Sequence, residues 1–585
     1  MKNKILKIAV SICLVSTLVN TAFASVLHKI QARASSYQDA TYSLSLETSN
    51  NNQQTLVLNT EKVFSVHLVA NLPTVSGINV TWQITGNSNS QNASLVVNGT
   101  PGSTQTVVAT DANGNASVTV QTGQIAAVYT LTARATVTLP DSTSHDLEQT
   151  FNLVSGVQAS VQISTPENQI ATSLDNLCPQ LQQANVANLS TQQQALLAHC
   201  NEIQQAASEG KTLEVGQVLR QISPEEVATQ SRISSNFVSQ QISNISSRLG
   251  AIRRGSFKTS FSQLGFNYKG QNIPIGYLLN SIFNANDSKK IETGSLLDNR
   301  LGLFANGNTS IGSRSSTTRE DGFNFDSYGI TLGADYRLRS TSFLGAALGL
   351  SNSGVNILDN GGNLNSTGLS MNIYGTHYLN EQYYLDAIVN LGQNTYKMDR
   401  NINYTLGSNP GIRTANSNTK GIQKSLTVGG GYDTHDGALS MNLTGRLTYT
   451  QLDIDNFTES GAQELDLHIN HQVIHNVISS LGGQLSYTHS TKFGVLIPFI
   501  GLSWRHEFHG QADTISGYFA EDQINSGFNI KTETYDSNYF SNVEGISMVL
   551  PHGISAYIRM ANILGKDYYS ITNISLGGRM ELSSL

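Results

Sequence analysis

At 585 residues the chain exceeds one ordinary domain and should divide into two or three. Only 13% of residues are charged, whereas Gly (50) and Tyr (22) are plentiful; strand-rich membrane barrels have this balance, because half of each strand faces lipid and the lumen favours small polar residues. A net charge of -7, with no basic run longer than a pair such as Arg253-Arg254, argues against a nucleic-acid-binding chain.

Residues 1–24 read as a secretory signal. Lys2, Lys4 and Lys7 form the basic head, residues 8–19 the apolar core, and Ala22-Phe23-Ala24 a small-x-small site that puts cleavage between Ala24 and Ser25. Cys13 lies in that core and leaves with it. No other apolar run approaches the roughly 20 residues a membrane helix needs. The exported chain keeps Cys178 and Cys200. In an oxidising compartment they are a disulfide candidate closing a short loop, worth about 3 kcal/mol on the chain-entropy model; two buried thiols are the alternative.

Residues 41–155 are all-β by pattern. Alternating runs at 63–69, 78–84, 94–97, 106–109, 116–122 and 129–139 are separated by turn residues such as Asp111-Ala112-Asn113-Gly114. Their length and spacing fit a sandwich, held by packing around Trp82 because the stretch has no cysteine. The segments GINVTWQI and ATDANGNASVTVQTG, ahead of YTLTARATV, resemble the bacterial immunoglobulin-like (Ig-like) domains of the invasin and intimin type. That resemblance implies a spacer or adhesive module without a catalytic site, and a host or cell-surface ligand as its partner.

Residues 166–254 form a helical linker rich in Gln, Ala and Leu, with helices expected at 173–178, 191–207 and 223–254. Ser223-Pro224-Glu225-Glu226 reads as the N-terminal cap of the last. That helix carries Ile233, Phe237, Ile242, Ile245, Leu249 and Ile252 at helical spacing. About 30 helical residues measure roughly 45 Å, enough to cross an outer membrane inside a pore. An amphipathic helix packed on its neighbours in the periplasm is the other reading, and both stay open here. Residues 255–294 are a poorly patterned connector, with 273–283 as one further short helix.

From residue 295 to 585 the pattern becomes strand after strand. Within 324–354, Tyr328, Ile330, Leu332, Ala334 and Tyr336 alternate with Gly329, Thr331, Gly333, Asp335 and Arg337. The two tyrosines bracket an apolar row that spans roughly 20 Å on a strand tilted near 45°, the height of the lipid-facing band of an outer-membrane barrel with its aromatic girdles. Twelve strands are expected, at about 300–312, 324–338, 341–355, 366–379, 382–398, 419–434, 437–452, 470–488, 492–507, 531–549, 553–563 and 568–582. Tight connections at 339–341, 380–381, 435–436, 489–491 and 550–552 alternate with longer polar ones at 313–323, 356–365, 399–418, 453–469 and 508–530; only 564–567 breaks the contrast. The expected fold is therefore an all-β transmembrane β-barrel of about 12 antiparallel strands, plus an N-terminal Ig-like β-sandwich joined to it by an α-helical linker.

RLGLFANGNTSIG, DGFNFDSYGITLGADYRL, FLGAALGLSNS and the closing YYSITNISLGGRMEL resemble the translocator barrel of autotransporters, the type V secretion proteins. The segment DNLCPQL, LLAHCNEI and ISPEEVATQSRI resembles the helical region that precedes this barrel in some members. The resemblance implies an outer-membrane protein of a Gram-negative bacterium that carries its own N-terminal passenger, with outer-membrane lipid and the barrel-assembly machinery as partners. Two departures stand out: the chain ends in Leu585 where the family usually ends in an aromatic residue, and the passenger is short, without long β-helix repeats.

Chemistry is sparse. There is no G-x-S-x-G elbow, Gly-Asp-Ser-Leu block or H-E-x-x-H. His506 and His509 would point to opposite faces of a strand, and His471 and His475 lie roughly 13 Å apart along one, so neither pair suits zinc. Asp453-Ile454-Asp455-Asn456 reads as a solvated acidic loop in preference to a calcium site. Asp335, Arg337, Arg446, Arg559 and Arg579 are expected on lumen faces, because an arginine facing lipid at mid-membrane costs about 2–4 kcal/mol. No cofactor, metal or catalytic residue is expected. The sequence reads as a non-enzymatic protein that anchors and displays or translocates a small Ig-like passenger. A porin-like or structural barrel with a periplasmic Ig-like domain is the alternative.

Overall fold

A computed structural model describes residues 36–38, 43–48, 50, 52–70, 75–86, 93–160, 165–253, 265–268, 271–274, 301–359, 361–406, 409–491, 494–508, 513–523, 526–534, 536–550 and 554–581. The signal segment, with Cys13, Ala24 and Ser25, lies outside the described residues, as does Leu585. The chain divides into two compact units: Met1–Ile163, Ile170–Leu219 and Thr405–Asn409 form one, and Ser164–Gln169, Arg220–Tyr404 and Pro410–Leu585 the other.

The first unit holds two sheets. One has six strands, ordered Ser36–Gln38, Ser43–Glu47, Glu61–Ala70, Asn115–Gln121, Ser94–Val97 and Thr100–Ser103. The other has five: Gln53–Val57, Ser144–Gly156, Ala127–Thr138, Asn79–Thr85 and Gln105–Ala109. The longer strands bury every second residue, as Phe64, Val66 and Leu68 of one sheet and Val80, Trp82 and Ile84 of the other show. These residues meet in a single core. Trp82 stacks on Phe151 at 6.2 Å and Phe64 meets Phe151 edge-on at 5.3 Å, so three large rings anchor the two sheets. The strand carrying Phe151 was not expected, since His145, Asp146, Glu148 and Gln149 dilute its alternation.

Helices α1 (Thr165–Gln183), α2 (Thr191–Ser208) and α3 (Thr212–Ile222) follow. Cys178 of α1 and Cys200 of α2 are joined as a disulfide with Cα atoms 5.7 Å apart. A capping box starts α2: the Ser190 hydroxyl accepts from the Gln193 amide while the Gln193 side chain accepts from the Ser190 amide. Asp175, buried, accepts from the amides of Val157 and Gln158, and a Cβ on Gly156 would run into its carboxyl. Helix α3 escapes the sequence pattern because Gly216 sits at its centre. The expected helix over 223–254 needs correction at its start. After Pro224 the chain winds into a 3-10 turn, Glu225–Val227, and the long helix α4 is Ala228–Arg253. The short helix expected at 273–283 is also corrected, in that Gln271–Pro274 is a strand paired with Gly265–Tyr268; the rest of that segment lies outside the described residues.

The second unit is built on a closed antiparallel barrel of twelve strands, each hydrogen-bonded to its sequence neighbours. They are β1 (Leu301–Arg314), β2 (Phe323–Arg339), β3 (Ser342–Ile357), β4 (Gly362–Tyr378), β5 (Tyr383–Leu406), β6 (Asn409–Asp436), β7 (Leu439–Ile454), β8 (Gln472–Tyr487), β9 (Gly494–Glu507), β10 (Asn538–Val549), β11 (Ile554–Leu564) and β12 (Tyr569–Glu581). Closure comes from β1 pairing with β12, from Gly302 opposite Glu581 to Arg314 opposite Tyr569.

Its polarity is inverted relative to a water-soluble protein. Ile330, Leu332, Leu348, Leu369, Leu391, Leu443, Leu447 and Leu481 are exposed on the outer wall, while Thr331, Asn372, Asn390 and Gln423 are fully buried inside. Tyr336, Tyr383 and Tyr487 rim the exposed band near the tight turns, and Tyr328, Tyr449 and Trp504 rim it near the long connections. Water gives no reason for such a band; lipid does.

The long connections are more ordered than their polar composition suggests. Strands β5 and β6 run on through most of the loop expected at 399–418. The connections β7–β8 and β9–β10 together build a four-stranded sheet from Phe457–Thr458, Leu467–Ile469, Thr514–Phe519 and Phe528–Lys531. Strands this short carry too few residues to show a period.

The exposed band makes a direct test. Leu443→Arg, on the outer face, should block assembly of a heat-modifiable barrel, whereas Thr444→Arg, facing the lumen, should be tolerated; gel mobility of unboiled against boiled protein reads both.

Candidate functional site: the occupied lumen

Helix α4 lies inside the barrel. Its 26 residues span about 39 Å, longer than the roughly 25 Å apolar band. One face is apolar: Ile245, Leu249 and Ile252 are buried against Phe304 of β1, Phe343 and Ala347 of β3, Tyr374 of β4 and Ile388 of β5. The wall makes room for this approach with glycines. A Cβ on Gly349 would collide with the Gln241 side chain, and one on Gly368 would reach within 2.7 Å of the Phe237 ring.

Beside the apolar stripe runs a polar one whose groups are matched by the wall. Gln240 donates to Ser310, Asn308 donates to Gln240, Asn244 donates to Asn308 and Thr331, and Thr331 donates to Gln241. Buried amides left without partners would each cost about 1–3 kcal/mol, so this matching is a condition for placing a Ser-, Asn- and Gln-rich helix in a closed lumen.

Two buried ion pairs fix the helix along its axis. Near the tight-turn end, Arg248 grips Asp335 of β2 with two bonds of 2.6 Å, and its guanidinium lies 5.4 Å over the Phe304 ring. Near the long-connection end, Arg232 donates to Glu320 at 3.0 Å; Glu320 also takes Arg314 and the amide of Glu533. The pairs are sixteen residues apart, about 24 Å along the helix. Their order fixes a direction: α4 enters at the long-connection end and runs toward the tight turns.

The chain just ahead of α4 is clamped at that same mouth. Arg220 contacts Glu167, Glu225 and Asp321 at 3.3, 3.2 and 2.6 Å. Arg400 of β5 holds Glu459 at 2.7 Å and donates to the carbonyls of Gln221 and Ile222. Glu225 and Glu226 are buried here side by side. Burial, then the nearby Asp321 charge, pushes Glu225 up to about 8 against the pull of Arg220. Glu226 is raised by burial and by Glu225, with Arg400 opposing.

Of the residues expected in the lumen, Asp335 is buried and bound to Arg248. Arg337 stacks over the Phe343 ring at 5.6 Å, Arg446 reaches Asp386 at 3.5 Å, and Arg559 donates to the Ser243 hydroxyl of α4. Arg579 belongs to β12, but its side chain is outside the described set. Asp453 sits on β7 beside Lys424 and Gln451, and so belongs to a strand instead of the expected loop. Among the described residues no group of three or more His, Cys, Asp or Glu could hold a metal. Sequence reasoning missed Glu320 and Arg232, which are far apart in the chain and lie outside any periodic pattern.

Removing one partner of the basal lock should be costly. Asp335→Ala strands a buried guanidinium and should lower barrel stability by about 3–5 kcal/mol, read as a drop in the temperature of the gel-mobility shift; the double variant with Arg248→Ala should recover part of it. At the mouth the sign follows from raised carboxyls: the folded state prefers them neutral, so their contribution is full below pH about 4.5 and lost as pH rises through about 8. Protection of the amides of residues 220–232, taken relative to their intrinsic exchange rate at each pH, should therefore fall from pH 5.5 to 8.5, and Glu225→Gln should flatten that dependence.

Residues 303–561 match the family model of the autotransporter beta-domain. No curated protein matches the chain. Among solved structures, the translocator domain of the autotransporter NalP from Neisseria meningitidis is 16% identical, with a TM-score of 0.39, covering 52% of this chain and 94% of that one. The beta domain of the Bordetella autotransporter BrkA is 17% identical, with a TM-score of 0.36, over 48% of this chain and 99% of its own. The transport unit of AIDA-I from Escherichia coli is 14% identical, with a TM-score of 0.32, over 53% and 96%. Over residues 303–561, then, the twelve-stranded barrel is similar to the autotransporter beta-domain.

Proposed function

We propose that this protein is an autotransporter-like outer-membrane protein that anchors its N-terminal sheet unit and displays it at the cell surface, for adhesion and without chemical turnover. The observation that carries this reading is the direction of α4. In barrels of this kind tight turns face the periplasm and long connections face outside. The Arg232–Glu320 lock and the Arg220 clamp put the chain preceding α4 at the long-connection end. On this reading the chain N-terminal to Arg220 continues outside the cell.

The two-sheet core around Trp82, together with the motifs that resemble invasin-type modules, favours an Ig-like sandwich as the displayed unit, with a host or cell-surface molecule as its ligand. The sheets contain no cysteine, so they can pass the lumen unfolded and fold outside, where folding opposes return. Outer-membrane lipid around the exposed band and the barrel-assembly machinery are the partners this reading requires.

Protease added to intact cells carrying an epitope within residues 41–155 should remove it, and antibody should stain without permeabilisation. Staining of permeabilised cells only, with the epitope intact, would instead make the protein a porin-like barrel with a periplasmic domain.

A further inference from the structure

The helix leaves part of the lumen open. It leans on β1–β5, and toward β7–β12 there remains a cavity of about 740 Å³. A second space of about 130 Å³ continues along the same face of α4 toward the long connections. Both are lined by Ser239, Ser243, Ile478, Arg505, Ser541 and Arg559, so these six residues surround the place where the spaces meet.

Toward these spaces the helix presents Ser235, Ser239, Ser243 and Ser246, with Arg248 at one end and Arg232 at the other, each already paired with a wall carboxylate. The barrel presents Arg446 of β7, Arg505 of β9 and Arg559 of β11. Arg446 has Asp386 at 3.5 Å, as ordinary ion pairing in a lumen requires. The other two are different. Arg559 donates to the Ser243 hydroxyl and, among the described residues, forms no ion pair. Arg505 bonds the Tyr539 hydroxyl, and its Nε is buried with no hydrogen-bond partner.

Nearby acids are accounted for. Glu507 takes Asn476 at 2.6 Å and Lys566 at 3.6 Å; Asp433 takes Asn442 and, like Glu381, sits at the tight-turn end. Two guanidiniums that have no paired carboxylate among the described residues thus face an open polar space across a row of hydroxyls. Arginines placed this way lower the energy of an anion and raise that of a cation.

We propose that the space beside α4 is an anion-binding passage for small inorganic anions of chloride or phosphate size, with Arg505 and Arg559 as its selective constriction. The passage rests on the membrane-barrel reading and is independent of which side the sheet unit occupies. It lets the barrel conduct anions while the helix stays seated, since the spaces run alongside the helix and need no exit of it.

The full chain, inserted in planar bilayers of neutral lipid under a tenfold KCl gradient, provides the test. The reversal potential should give a chloride-to-potassium permeability ratio of about 3 or more, and inorganic phosphate added to one side should reduce the chloride current. Arg505→Gln with Arg559→Gln should bring the ratio to about 1 or below, each single variant should lie between, and Lys397→Gln, exposed on the outside of β5, should leave it unchanged. Heat-modifiable mobility certifies each variant as a folded barrel, and the single variants carry the test if the double does not fold. A ratio at or below 1 in the unaltered chain, a folded but silent protein, or selectivity that survives loss of both arginines would overturn the proposal. The cell-surface protease result bears on display alone and leaves this result standing.

Discussion

Every backbone amide and carbonyl of a membrane-spanning segment must find its partner inside the protein, because lipid offers none. Pairing of β1 with β12 meets that demand for the whole second unit. Without this contact the sheet would have two open edges in hydrocarbon, where unsatisfied groups cost several kcal/mol each. The other properties follow from closure. A closed strand has one face to lipid and one to the lumen, so leucines stand exposed on the outside while Thr331, Asn372 and Gln423 are buried within.

Closure also creates an interior that something must occupy, or water must. In this protein the occupant is α4, and its composition records the compromise. A helix apolar all round would strand the polar wall, and one polar all round would forfeit contact with Phe304, Phe343 and Tyr374. The stripe of Ile and Leu and the neighbouring stripe of Gln and Asn answer two halves of the same wall. Glycines at 349 and 368 supply the clearance, and the Arg232 and Arg248 pairs set depth. Each of those pairs costs desolvation, so their worth lies more in fixing the helix position than in net stability. The same arrangement leaves the far side of the lumen open, where Arg559 donates to a hydroxyl and, among the described residues, neither Arg505 nor Arg559 is ion-paired to a carboxylate.

The first unit solves a different problem. Its sheets cover each other around Trp82, Phe64 and Phe151, a core ordinary for a water-facing protein. Its helices are short and modestly apolar, and the Cys178–Cys200 bond joins two of them across a separation of 22 residues. At the barrel mouth, Glu225 and Glu226 give up hydration beside Arg220 and Arg400, and the start of the helix expected from residue 223 is a 3-10 turn ahead of α4.

Much of this architecture was legible in the residues. Period-two alternation depends only on each strand having two unlike environments, so all twelve barrel strands could be read from it, and the bracketing tyrosines marked the band. Trp82 as a core residue, the inward face of Asp335 and the pairing of Cys178 with Cys200 were legible for the same local reasons. The position of α4 was not. Its amphipathic pattern fits a periplasmic groove as well as a pore, because helical periodicity records that a face is covered and does not record by what. Only the folded barrel brings Asn308, Thr331 and Asp335 opposite Asn244 and Arg248, and only that register gives the helix a direction. The four-stranded sheet in the long connections and the Glu320 lock were illegible for a related reason: segments of two to six residues have no period, and partners 88 positions apart carry no local signal. Covered faces are written along the chain, whereas the identity of what covers them exists only in three dimensions.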